Sequence, residues 1–159
     1  MSNIAYIHTP KFVKSYDIKA LLEKINRKRF GGKMEIGRGG ESGKEDDSVL
    51  AWRISYPGSW DCLWIHQDTP KKLACKHPHN QWMEYVFMVF QEELAAMVKG
   101  KLSDEGVQGT WKPKPKKYPS YLAWVNMIHS HSHKVLDPRA YYELIELEMS
   151  FAPKGMEDY

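Results

Sequence analysis

Asn80–Lys101 reads N-Q-W-M-E-Y-V-F-M-V-F-Q-E-E-L-A-A-M-V-K-G-K, the densest apolar run in the chain. At a helical period, Met83, Phe87, Phe90, Leu94 and Met97 form one stripe, which Trp82, Val86, Val89 and Val98 widen. Glu84, Gln91, Glu92 and Lys99 fall on a narrow polar lane, so the spacing predicts a helix packed over most of its circumference, with one side wet. The aromatic and β-branched hexamer 85–90 leaves a strand followed by a short helix as the competing reading. Either way this stretch is core, and the rest of the chain is arranged around it.

Upstream, Ile4–Ile7 suits a short strand closed by Thr9-Pro10. Ser15 offers a helix N-cap, Asp17 suits the positive end of the dipole, and Ile18, Leu21, Leu22 and Ile25 recur at helical spacing until Gly31-Gly32. A glycine-rich polar loop is expected over 37–47. Leu50, Trp52, Ile54 and Tyr56 then alternate up to Pro57-Gly58, and Trp60–His66 returns, which predicts a hairpin. A two-residue turn would pair Trp52 with Leu63, although such a type II turn splays strands and a longer loop stays open. Arg53, Trp60, Cys62, Trp64 and His66 then share the face opposite the apolar one.

Asp68–His79 reads as a basic connector into the central helix, and Thr110–Pro119 as an extended Pro/Lys segment. Pro119 suits the first turn of a helix carrying Tyr121, Trp124, Val125 and Ile128 on one side. Ile145, Leu147, Met149 and Phe151 alternate with Glu146, Glu148 and Ser150 and predict an amphipathic strand, although Asp137-Pro138 is a helix start and a helix through Tyr141 and Tyr142 competes. The expectation is one α+β domain over 1–152, an antiparallel sheet with helices packed mainly on one face, followed by a frayed tail over 153–159.

The 159 residues suffice for one hydrophobic core without metal or disulfide staples. No apolar run approaches the roughly 20 residues that cross a bilayer, and the N-terminus lacks a basic start followed by an apolar stretch, so a cytoplasmic protein with no membrane segment is expected. Two cysteines are too few for a disulfide framework. Net charge is only +3, from 23 basic and 20 acidic side chains, so any polyanion would have to be met by local clustering.

Two constellations carry chemistry. Lys112, Lys114, Lys116 and Lys117 are bracketed by Trp111 and Tyr118, a combination that neutralises phosphates and stacks bases. Together with Arg53, Trp60 and Trp64 on the sheet face, it suggests a non-enzymatic binding or assembly protein. The expected partner is an acidic protein surface or single-stranded nucleic acid, and a homo-oligomer would use the same surfaces. The second constellation is histidine: His129, His131 and His133 in one tract, and Cys75, His77 and His79 in another. Helical His129 and His133 would stand at i and i+4, the spacing of zinc-binding pairs. The alternative function is therefore a metal-dependent hydrolase or nuclease holding zinc or manganese, with a glutamate activating water. The spacing C-x-H-x-H is no standard finger, so no cofactor is expected by default. Gly39–Lys44 echoes a phosphate loop, but Arg38 stands where the first glycine is needed and Glu45 where Ser or Thr must hold magnesium. Cys62 and His66 in a strand would lie about 13 Å apart, too far for proton transfer.

Overall fold

The computed structural model describes residues 4–38, 51–114, 118–154 and 156. In chain order the elements are β1 (Ile4–His8), α1 (Ser15–Phe30), β2 (Glu35–Arg38), β3 (Ala51–Ser55), β4 (Leu63–Thr69), β5 (Lys72–Lys76), α2 (Gln81–Met97), β6 (Lys101–Asp104), β7 (Val107–Trp111), α3 (Tyr121–Ile128), α4 (Ser130–Val135) and α5 (Pro138–Met149). The strands form one antiparallel sheet in the order β2-β3-β4-β5-β1-β6-β7. Helices α1 and α2 cover one face, and α3 and α5 pack on α2. This is a single-domain α+β fold.

The central stretch is a helix throughout its apolar part. Asn80 caps it by accepting from the Met83 amide at 2.8 Å, and Trp82, Met83, Val86, Phe90 and Leu94 are fully buried. The polar lane is narrower than expected, because Gln91 is also buried. Glu93 is buried too, compensated by Arg29 of α1 at 2.6 Å from Nε. Phe30 of α1 stacks on Phe90 at 5.5 Å, joining the two helices over the sheet. Past the helix, Lys99 adopts φ 55°, and Gly100 passes so close to β1 that a Cβ there would lie 2.8 Å from the His8 carbonyl oxygen.

Several local expectations are corrected. Ser15 is the first residue of α1 and does not cap it; Lys14 holds the cap position with no side-chain bond. The β3–β4 hairpin has a loop over 56–62, so Trp52 pairs with Ile65, and Ile54 with Leu63. This register differs by two residues from the tight-turn one and keeps Trp52, Arg53, Ile54, Trp64 and His66 on their expected faces, while Trp60 and Cys62 lie in the loop rather than in the strand. The supposed connector 68–79 contains the end of β4 and all of central strand β5. Gly37 and Arg38 belong to β2. The remainder of the glycine-rich stretch, 39–47, lies outside the described residues, as does Leu50.

Thr110 and Trp111 belong to β7 rather than to an extended segment. Pro119 precedes α3, which Ser120 caps. The alternating stretch 145–151 is not a strand. Asp137 accepts from the Ala140 amide at 2.9 Å and Pro138 occupies the first turn, so α5 forms, leaving Leu147 and Phe151 exposed. Met156, in the expected frayed tail, is buried against the core.

Candidate functional site

Alternation along the strands sends Ala5, Ile7, Trp52, Ile54, Leu63, Ile65, Leu73 and Leu102 into the core beneath α1 and α2. Their neighbours, among them Tyr6, His8, Arg53, Trp64 and His66, emerge on the other face, opposite α1 and α2, where they are partly exposed. Because strand register aligns side chains across the sheet, that face is organised in rows. One row runs Arg53–Trp64–Lys76 across β3, β4 and β5. The next runs His66–Ala74–Tyr6–Ser103 across β4, β5, β1 and β6. A third runs Lys72–His8–Lys101. Ala74 is a small side chain in mid-row, buried between His66 and Tyr6.

Contacts within the sheet hold these side chains in place. Lys72 Nζ sits 4.7 Å from the Tyr6 ring centroid and 3.1 Å from Asp68. His8 Nε2 is 2.8 Å from Ser103 Oγ, and the Tyr6 hydroxyl donates to Glu105 at 3.2 Å. Arg53 Nε is buried with no hydrogen-bond partner among the described residues.

The 56–62 loop forms a rim at the Trp64 end of this face. Its anchor is Asp61, a buried carboxylate that accepts from the amides of Cys62, His79 and Asn80 at 2.7–3.0 Å. This fixes Trp60, which is 77% exposed and stacks on His79 at 5.8 Å. Between Trp60 and Trp64 lies a cleft of about 190 Å³ with Cys62 and Lys76 in its wall. Burial pushes the Cys62 thiol up, and the nearby Arg53 offsets only part of that, so Cys62 is not an activated nucleophile.

His77, also in the wall of that cleft, is held from both sides. Its Nδ1 is 3.0 Å from Glu84 at the start of α2, its Nε2 is 2.8 Å from Asp104 of β6, and its ring packs 4.1 Å from Phe87. Burial disfavours charge on the ring, but the hydrogen bonds and charges of Glu84 and Asp104 outweigh it and raise its pKa. Both nitrogens must donate to satisfy two carboxylates, so His77 is an imidazolium tie between elements, with no lone pair for a metal or a substrate proton.

The remaining histidine and cysteine candidates are dispersed. Cys75 points into the core, where burial pushes its thiol up to about 12. His79 lies under Trp60. His129 Nε2 is 3.4 Å from Glu148, His133 packs edge-on against Tyr141 at 4.6 Å, and His131 is exposed. Among the described residues, no group of three or more His, Cys, Asp or Glu side chains is arranged to hold an ion.

The other partner-binding candidates divide in two. Arg53 and Trp64 are cross-strand neighbours, with Trp60 at their rim. Trp111 pairs with Leu102 and faces the helical side, lining a groove with Trp124 and Phe87. Lys112 and Lys114 are exposed, and Lys114 acts on Glu92 of α2. Tyr118 lies 4.8 Å from the Arg29 guanidinium. Trp111, Lys114 and Tyr118 therefore lie on the helical side, away from the other sheet face; Lys116 and Lys117 fall outside the described residues. Tyr6, His8, Lys72 and Lys76 complete the open face; sequence reasoning missed Lys72 and Lys76 because β5 reads as a linker, and Tyr6 and His8 because the pairing of β1 with β5 is distant in sequence. The alternation Lys72-x-Ala74-x-Lys76 around apolar Leu73 and Cys75 is the signal that marks it.

No helix among the described residues is long and apolar enough to cross a membrane. Comparison with known proteins finds no match to a family model, to a curated protein or to a solved structure.

Proposed function

We propose that this chain is a non-enzymatic binding protein that holds single-stranded nucleic acid on its open sheet face. The observation that carries the reading is the cross-strand row Arg53–Trp64–Lys76 beside the His66–Tyr6 row. Aromatic faces stack on bases without regard to sequence, and flanking cations neutralise the phosphates between them. Strand spacing favours it as well: neighbouring strands lie about 4.8 Å apart, so Trp64 and Tyr6, two strands from each other, can engage separate bases. Trp60, exposed above the cleft, offers a third stacking surface. A flat row of cations without rings would suit an acidic protein equally well; the alternating rings and cations favour bases joined by phosphates.

The test is anisotropy of a labelled single-stranded oligonucleotide across a salt series. Trp64→Ala is expected to weaken binding by about 1–3 kcal/mol. Lys76→Ala should weaken it and reduce the salt slope by about 0.7, the value for one phosphate on a single strand. Equal affinity for a polyglutamate peptide, or an effect of Lys112→Ala and Lys114→Ala larger than that of the sheet-face variants, would overturn the reading.

A further inference from the structure

The C-terminal helices carry a surface that the open sheet face does not explain. Among the described residues, eight of the twelve exposed large hydrophobic side chains lie between Leu122 and Phe151, although α4 and α5 bury none of their residues fully. A groove of about 460 Å³ opens there between Asn126 of α3, His133 of α4 and Tyr141, Tyr142 and Ile145 of α5.

Helix α5 borders this groove with a recognisable stripe. Pro138, Tyr142, Ile145 and Met149 recur at four, three and four residues, the seam of a two-helix coil. Tyr142 is 65% exposed at the centre of that seam, while Ile145 and Met149 are half-buried, packed in part against this chain's own core. Arg139 and Glu146, seven residues apart, flank the seam on the same side. Arg139 is 90% exposed and, among the described residues, pairs with Glu143 of its own helix at 3.4 Å.

We propose that this face joins two copies of the chain through antiparallel α5 helices. The pattern is self-complementary only in that direction. When Tyr142 packs against Ile145 of the second copy, Pro138 meets its Met149 and Arg139 comes opposite its Glu146, each contact occurring twice by symmetry. Parallel pairing would place the two copies of these positions on opposite sides of the seam, where Arg139 could not reach Glu146 of the second copy. The groove beside each Tyr142 then receives the ring of the other copy, an aromatic anchor in an apolar pocket. A second copy is preferred over an unrelated partner because one short sequence supplies both halves of the charge pattern and both halves of the seam.

Sedimentation velocity of the full chain tests this. Wild type is expected to sediment as a dimer at micromolar concentration. Glu146→Arg alone and Arg139→Glu alone should each raise the dissociation constant about tenfold or more, since each places like charges together twice. The double variant Arg139→Glu/Glu146→Arg should restore dimerisation to near the wild-type value. Both positions are exposed, and circular dichroism confirms that each variant keeps its fold. A monomeric wild type, or a dimer indifferent to both single reversals, or a double variant no better than the singles, overturns the proposal.

Discussion

His77→Ala removes a side chain that ties the end of β5 to both α2 and β6. The lost interactions are two charge-assisted hydrogen bonds, at 3.0 Å to Glu84 and 2.8 Å to Asp104, and a ring contact with Phe87 at 4.1 Å. Hydrogen bonds to charged groups contribute about 1.5–3 kcal/mol each, and partial exposure of all three side chains places these at the lower end. With two carboxylates left facing one another, the expected loss is about 3 kcal/mol, or roughly 6–12 °C in Tm for a chain of this size.

The loss must also depend on pH. The folded pKa of His77 is raised above its unfolded value, so its contribution is fully present below about pH 6.5 and disappears as pH rises through the higher folded pKa. Urea unfolding of wild type and variant at about pH 6 and about pH 9 measures this. The gap should be widest at the lower pH and mostly closed at the higher one. A gap that is constant, or that widens with pH, would refute the assignment of His77 as a charged tie.

Gly100→Ala should destabilise by about 1–3 kcal/mol, because its Cβ would meet the His8 carbonyl oxygen at 2.8 Å and the Ile7 side chain at 2.9 Å; thermal unfolding reads this directly. In the native protein at neutral pH, a thiol reagent should modify Cys62 slowly and Cys75 only on unfolding, because Cys75 is buried with its pKa pushed up to about 12. Rapid native modification of Cys75 would contradict its placement in the core.

The parts of the fold that were legible are those whose side chains answer to local periodicity. The α2 stripe and the α1 stripe are strong because most of their apolar positions are buried against something. The β3–β4 faces survived a two-residue error in register because only an odd shift exchanges faces. What escaped was set by contacts distant in sequence. Strand β5 lies in mid-sheet, yet Lys72 and Lys76 project from its open face and give it the look of a linker. Strand β6 buries Leu102 fully and little else, and β7 leaves Val107–Thr110 exposed at the sheet edge, so neither shows an apolar pattern. For α5, alternation over 145–151 imitated a strand, and the Asp137 cap with Pro138 decided the matter. The site followed the same division. Arg53 and Trp64 were adjacent by alternation within one hairpin. Tyr6 reaches them only because β1 enters the sheet beside β5, a pairing about seventy residues apart that no local signal encodes.

Photocrosslinking tests the central claim most directly. A single strand carrying a photoreactive base is irradiated on the protein, and the modified peptides are mapped. The open-face account predicts adducts within 4–8, 60–66 and 72–76, lost when Trp64 is changed to Ala. Adducts confined to the Trp111–Tyr118 segment, or none above the level of a control protein, would contradict it.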